Sequence, residues 1–472
     1  MKTLISALDD LLWEARKTFP QHRTFLRARQ LALGFVITWG RHTISRALCA
    51  IHRQFEDWSA SYRLFSRSPW DPAGLFRPVL SKCLELRGKT ELICIAMDDT
   101  ALQKSSKRSP GTSYTRDPMS PKFHPNLVLG QRYIQATFLL RPQGLGGPAR
   151  SVPVRFTPAP PPAKPGKKAS EAEKQDYRRA QKTENLSCKG AAVMQDLRTE
   201  LDSLGAETST VLFVVDGSYC NRNALRNPPE RSQIIGRARG DITLYALPTA
   251  EQLVGRGRRR KYGDELPKPK AMQDDKQIPW KEAEIFGAGR IHNLRFKEIC
   301  PVLWKSGTRA RPLRLIIIAP LGYRPRKKSK KLYRDPAYLL TTDLTTPAEI
   351  LIQAYFDRWE IEVNHREEKS MFGVGQAQVW SEQAAPRVPQ FQVAIYAMLL
   401  VASLMSYGPT RTENYHKLPK WRPQEQRRPS IEDIMTLVRE ELVNRGISNS
   451  VVGGQHASRP IKNAPGKFTS GL

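Results

Sequence analysis

The sequence predicts an α/β fold: a mixed sheet flanked by helices, interrupted by a β-rich insertion and preceded by a helical N-terminal domain. Three observations carry that expectation. Two short apolar runs, Leu92–Met97 and Val211–Val215, have the length and composition of buried strands, and each gives way to aspartate, as Asp98-Asp99 and as Asp216. The stretch Tyr355–Lys369 contains neither Pro nor Gly and reads as helix. Farther on, Gln390–Tyr407 is strongly apolar at helical length.

Composition sets the outer bounds. A chain of 472 residues, 40% hydrophobic, can bury a sizeable core and hold several domains. Its 76 Lys plus Arg against 45 Asp plus Glu leave a formal charge of +31, which points to a polyanionic partner, with nucleic acid first and an anionic membrane second. The membrane reading is weak. Gln390–Tyr407 is interrupted by Gln392 and has no companion segment, and the apolar stretch after Met1 is too short for a secretory signal, so a cytoplasmic protein is expected. Six cysteines, at 49, 83, 94, 188, 220 and 300, lack Cys-x-x-Cys spacing and a neighbouring His cluster. That spacing argues against a zinc ribbon and a disulfide framework, and reduced, mostly buried thiols are expected. No Gly-x-x-x-x-Gly-Lys loop is present to drive an ATP-dependent motor.

In chain order, residues 5–88 read as helical, with apolar residues at helical spacing in Leu8, Leu11, Leu12 and Ala15 and again from Leu31 to Trp39. The Gly40 turn and the short helix after it fit either a helix-turn-helix or a plain αα-hairpin. After Leu92–Met97, Lys104, Lys107 and Arg108 form a basic loop, and strands follow at Leu127–Leu129 and Tyr133–Leu140. A Pro-rich loop from 157 to 168 precedes a helix expected from Glu171 to Leu204. An apolar run ending in Asp is, alone, most often a turn. Its repetition at Asp98 and Asp216, followed by a helix bearing Glu362, is what suggests a site. Strands are expected at 242–245, 291–296, 301–304 and 313–318, flanked by the basic runs 255–263 and 324–331, read as loops that contact a nucleic-acid backbone. A last strand, Tyr338–Asp343, leads into the Tyr355 helix. Beyond 409 the chain is polar and basic apart from an amphipathic patch, Ile431–Leu442, suited to docking, and the last twenty or so residues read as disordered.

On the Tyr355–Lys369 helix, at roughly 100° per residue, Tyr355, Arg358, Glu362 and Lys369 fall within a sector about 60° wide. A carboxylate there can hold a divalent cation while the two cations bind phosphate oxygens. This Tyr-(2)-Arg-(3)-Glu-(6)-Lys spacing resembles the signature of DDE-type bacterial insertion-sequence transposases, whose catalytic core is RNase H-like. The resemblance implies that Asp98, Asp216 and Glu362 are the catalytic and metal-binding carboxylates, that two Mg²⁺ or Mn²⁺ ions serve each site, and that Tyr355, Arg358 and Lys369 contact DNA. The family's first Asp commonly stands in Asp-x-Thr, as Asp98 and Thr100 do. Neighbouring strand residues face opposite ways, so only one of Asp98 and Asp99 can join the site, and Asp99 remains the alternative.

With this resemblance, which covers roughly residues 90–405, the expected organisation is 1–88 (helical, DNA-end binding), 89–231 and 336–408 (the two parts of the RNase H-like core) and 232–335 (β-rich insertion domain), while composition alone marks 409–472 as a basic tail, partly helical or disordered. The resemblance also implies a nucleoid-associated enzyme that cuts double-stranded DNA at transposon ends and joins 3′-hydroxyls to target DNA, working as a homodimer on paired ends and not on a membrane. The competing readings are an RNase H-like endonuclease or resolvase without strand transfer and a domesticated, non-catalytic DNA-binding protein.

Overall fold

Apolar periodicity of 3.6 opens the chain and of 2 follows it, and the computed structural model shows both. It describes residues 2–88, 92–117, 120–121, 123–142, 144, 147–253, 259–324, 329–421 and 428–444. The N-terminal region is five helices: α1 (Leu4–Glu14), α2 (His22–Ile37), α3 (Ile44–Ala50), α4 (Ser59–Ser66) and α5 (Phe76–Leu86). Thr3 and Thr43 accept hydrogen bonds from Ser6 and Arg46 and so cap α1 and α3.

Strand β1 (Leu92–Gln103) follows, then β2 (Thr112–Arg116), β3 (Leu127–Leu140) and β4 (Arg150–Pro158). The single helix expected over 171–204 is two, α6 (Glu171–Thr183) and α7 (Leu186–Asp202). They part at Asn185, whose side chain accepts from Cys188 N at 3.0 Å and caps the second helix. Next come β5 (Thr210–Val215), the single turn α8 (Arg222–Leu225), β6 (Ser232–Ala238), α9 (Ala250–Leu253), α10 (Pro269–Asp274), β7 (Lys281–Gly287), β8 (Arg290–Leu303) and β9 (Pro312–Ile318). A small ribbon of β10 (Gly322–Tyr323) and β11 (Leu332–Tyr333) precedes β12 (Ala337–Thr341), α11 (Ala348–Asp357), α12 (Glu360–Arg366), a π-helical turn over Glu367–Met371, α13 (Ala384–Tyr407) and α14 (Ile431–Asn444).

Ten strands make one mixed sheet, in the order β2-β3-β1-β5-β6-β12-β9-β8-β7, with β4 paired to β3. Strands β1, β5 and β6 run parallel, and the others pair antiparallel. This large mixed sheet flanked by helices is the arrangement of an RNase H-like DDE fold. The strands expected in an insertion over 232–335 prolong this same sheet, because β12 returns between β6 and β9 and joins them to the core. Of the two basic runs, residues 255–258 and 325–328 lie outside the described residues, as do 445–472.

One face of the sheet, with Ile93, Ile95, Met97, Val211, Phe213 and Val215, shares a core with α1, α2, α5, α7 and α13. The other face, with Leu212, Val214, Ile235, Ile316 and Leu339, packs on Leu351, Ile352 and Ala354 of α11. The apolar helix α13 is the spine of the first layer. Most of its apolar span is buried inside the protein, and Gln392, fully buried, donates to His42 O at 3.3 Å and accepts from Gly375 N at 3.4 Å. The amphipathic patch of the tail is α14, and it docks within the chain: Ile431, Ile434, Met435 and Val438 are buried in the same core. The short helix α3 likewise buries Ile44, Ala47 and Leu48 against α2, and His42, between these two helices, touches Thr38 O and Phe372 O. All six cysteines are free. Cys83 and Cys220 are buried, Cys94 and Cys188 half-buried, and Cys49 and Cys300 exposed, so the expectation of mostly buried thiols holds for part of the set only.

Candidate active site

Strand pairing brings two aspartates together. Met97 on β1 is in register with Val215 on β5, the last residue of that strand, so Asp98 and Asp216 sit side by side one step beyond, on neighbouring parallel chains about 4.8 Å apart. Strand β1 does not end at Met97. It continues to Gln103 because Asp98–Gln103 pair with Gly130–Gln135 of β3, and Asp98 therefore stands where the pairing with β5 stops and a rigid neighbour remains on one side only.

Alternation separates the adjacent carboxylates. Asp98 shares its face with Cys94, Leu212 and Val214, the face that α11 covers, and its Oδ2 accepts from Arg358 Nη1 at 2.8 Å. Asp99 points to the other face and pairs with Arg132 Nε at 2.6 Å. Asp216 lies in a turn after β5, accepting from Ser218 N at 2.9 Å and Ser218 Oγ at 3.0 Å. Its turn role and its place beside Asp98 are compatible. Asn221, next along, caps α8 through Asn223 N.

The helix bearing the signature is not continuous. It tightens at Arg358–Trp359, where Ile361 N and Glu362 N bond to carbonyls three residues back, and it widens into the π-turn at Glu367. The expected even winding from Tyr355 to Lys369 is corrected at both points. The four residues still turn toward the aspartates. Arg358 binds Asp98, and its guanidinium carbon stands 5.8 Å from the centre of the Tyr355 ring. Glu362 is exposed and lies within electrostatic reach of Asp98 and of Lys369, and Lys369 also acts on Asp99.

Burial, and to a lesser degree neighbouring charge, shows in the acid strengths. Burial raises the Asp98 carboxyl to about 7; Arg358 opposes the rise, while Asp216 and Glu362 add to it. Burial lowers Lys369 against the pull of Glu368, Glu362 and Asp99, and burial raises the Tyr355 phenol. Among the described residues, no three His, Cys, Asp or Glu side chains stand close enough together to hold an ion as they are. Arg358 instead supplies the positive charge at Asp98.

Several supporting residues escape a reading by spacing. Glu368, 1% exposed, accepts from Gln135 Nε2 at 2.9 Å, and Gln135 is the register partner of Asp98 on β3. Burial raises Glu368 to about 8. Tyr396 of α13 donates to Glu367 at 2.7 Å, and Asn364 donates to Tyr396 and to Ser151 O. The signal for Glu368 is its place seven residues after buried Ile361, on the inner face of the same helix. Of the basic loop, Lys104 donates to Gly375 O at 2.8 Å, and Lys107 lies over the Tyr114 ring.

No curated protein matches the chain. The family model described as DDE superfamily endonuclease matches residues 16–311, taking in Asp98 and Asp216 and stopping short of Glu362. Members of that superfamily act on DNA and typically use divalent metal ions. With more than half of the sequence under this model, and its two aspartates abreast at the edge of one strand pairing, the chain belongs to the DDE superfamily endonucleases.

Proposed function

We propose that the protein is a DNA transposase that cleaves double-stranded DNA at the ends of an insertion sequence and transfers the freed 3′-hydroxyls into target DNA. The observation that carries the reading is the meeting of Asp98 with Asp216 by strand register and with Arg358 and Glu362 from the signature helix. The donors are carboxylate oxygens alone, a set suited to Mg²⁺ or Mn²⁺, and Asp98, buried and paired with Arg358, has Asp216 and Glu362 as acidic neighbours within electrostatic reach. The donor chemistry therefore fits the metal that the superfamily implies, but the carboxylates must draw closer and Arg358 must leave Asp98 for an ion to enter. Asp98, Asp216 and Glu362 would hold the ions. Two bound ions supply a water or 3′-hydroxyl nucleophile at neutral pH and a counter-charge for the leaving oxygen.

The chain's own residues do the rest. Arg358 leaves Asp98 for a phosphate oxygen when DNA arrives, an exchange between two anionic partners with little change in the charge around it. Tyr355 lies against the Arg358 guanidinium and directs it, and Lys369 binds a second phosphate oxygen. Glu368 and Gln135 tie the helix to the strand beside Asp98, so helix and strand move together. Two copies act on paired ends, in the cytoplasm on the nucleoid.

The test uses purified protein, a duplex ending in the element's terminal repeat, and Mg²⁺. Wild type nicks the end and joins it to a second duplex, and Asp98→Ala, Asp216→Ala and Glu362→Ala abolish both steps while DNA binding persists. Cutting without joining would reduce the activity to that of an endonuclease. Retained cleavage by Glu362→Ala would remove it from the site.

A further inference from the structure

We infer that the segment 160–184, which carries α6, is an arm that grips the sugar-phosphate backbone of duplex DNA beside the two aspartates. The inference rests on the reading of the chain as a DNA-processing enzyme and adds a contact site to it. The first observation is that α6 has no buried residue along its 13 positions. Core packing therefore does not explain its presence, and a helix polar all round is one held by its own side-chain pairs or one that bridges to another body. It is nonetheless well formed. Ser170 and Glu173 make a reciprocal capping box, and Lys189 Nζ donates to Pro160 O at 2.6 Å, closing the base of the arm.

The second observation is charge. Lys164, Lys167, Lys168, Arg178, Arg179 and Lys182 are exposed, and their side chains have no hydrogen-bond or ion-pair partner among the described residues. Within the arm Glu171 pairs with Lys174 at 2.8 Å, while Glu173 serves the cap with its charge intact, which leaves Glu173, Asp176 and Glu184 against six cations. Arg178 and Lys182 lie one turn apart, a rise of about 6 Å, so with Arg179 they can meet two or three successive phosphates of one strand.

The third observation is place. Pro158, where β4 ends, is level with Tyr133, which is itself level with Thr100, two residues from Asp98. At the other end, Ser187 donates to Asn221 Oδ1 at 2.8 Å, in the loop that follows Asp216. Gly190 lies against the Tyr219 ring, with no room for a Cβ. Both roots of the arm are thus fixed at the end of the sheet that holds the aspartates, and a duplex lying across that end meets the arm as well. The match is to backbone and not to bases, since three point charges on one face carry no sequence information.

The experiment measures binding of the full-length protein to a duplex by fluorescence anisotropy in EDTA over a range of KCl. Each phosphate contact contributes about 0.9 to the slope of log K against log salt. The variant R178Q/R179Q/K182Q should lower that slope by about 2 to 3 and the affinity at physiological salt by about tenfold or more, with an unchanged circular-dichroism melt. R178K/R179K should keep the wild-type slope. The inference is overturned if the glutamine variant binds with the wild-type slope and affinity, or if wild type does not bind duplex DNA in EDTA. The cleavage reading fails separately, through a wild type that binds DNA but does not cut it in Mg²⁺.

Discussion

Replacing Asp98 by asparagine should make the metal-free protein more stable above neutral pH, and the size of the effect follows from its surroundings. The carboxyl is held at about 7 against an ordinary 3.8, chiefly by burial and with help from Asp216 and Glu362. A group that binds its proton more tightly in the folded state than in the unfolded one favours folding while the proton is on. Stability therefore falls as pH rises from about 4 through about 7 and is flat beyond. The difference of about three units, at about 1.4 kcal/mol each, sets an upper figure of about 4 kcal/mol, and relaxation and water entry at a site open on one side bring it to about 2–4 kcal/mol. The asparagine amide has no proton to lose in this range and keeps an oxygen for Arg358. For a chain of this length the unfolding entropy is on the order of 1 kcal/mol/K, so D98N should melt about 2–4 °C above wild type at pH 8 in EDTA and together with it below pH 4. The assay is a pair of thermal-unfolding curves across pH 4–8. Parallel profiles for the two proteins would show that Asp98 ionises normally, and the burial and neighbouring charge argued for the site would be wrong.

Other outcomes follow from the same structure. Glu362→Ala and Asp216→Ala should each cost Mg²⁺-dependent cleavage about three orders of magnitude, the equivalent of several kcal/mol of lost charge stabilisation, with duplex affinity in EDTA nearly unchanged. Glu368, raised to about 8, already carries its proton at pH 7, so Glu368→Gln should cost less than about 1 kcal/mol there, whereas Glu368→Ala strands Gln135 and should cost about 1–3 kcal/mol in urea unfolding. Burial holds His365 neutral down to about 3, so stability from this residue is complete above about 6.5 and is lost as pH falls toward 3; His365→Gln should flatten that acid limb of the melting profile. Ile434→Ala in α14 should destabilise the whole protein by about 2–5 kcal/mol, as a cavity in a shared core does, in contrast to an isolated tail helix, whose loss leaves the main transition in place.

Much of this molecule was legible in its sequence, and the rest divides by physical cause. The apolar runs Leu92–Met97 and Val211–Val215 both fold as strands, but only the second ends before its Asp; β1 runs on through Asp98 to Gln103 because β3 continues beside it. Composition likewise separates α13, the strongly apolar helix, from the others, although the helix begins before the apolar run, at Ala384. Three things did not show. The break at Arg358–Trp359 and the π-turn at Glu367 accompany the placing of Arg358 on Asp98 and of Glu368 on Gln135, tertiary contacts invisible to a 100° wheel. The merging of the 232–335 strands into the core sheet depends on β12 returning between β6 and β9, which no local pattern encodes. The split between α6 and α7 at Asn185 lies in a stretch, residues 183–190, whose several weak helix formers mark no single end, and the cap shows only in the bond from Cys188 N to the Asn185 side chain.

The first and last described helices meet at a single carboxylate. Leu4 N and Ile5 N donate to Glu441 of α14 at 3.0 and 2.9 Å, and Tyr407, the last residue of α13, donates to the same side chain at 2.7 Å. The start of the fold is thus finished by a residue translated over four hundred positions later. A ribosome-bound chain lacking α14 leaves the amides of Leu4 and Ile5 without this acceptor and its largest core unsealed, so the protein should gain its full resistance to proteases only after synthesis has passed Glu441. Truncations that spare every site residue but remove that helix should yield aggregation-prone protein and not a trimmed enzyme.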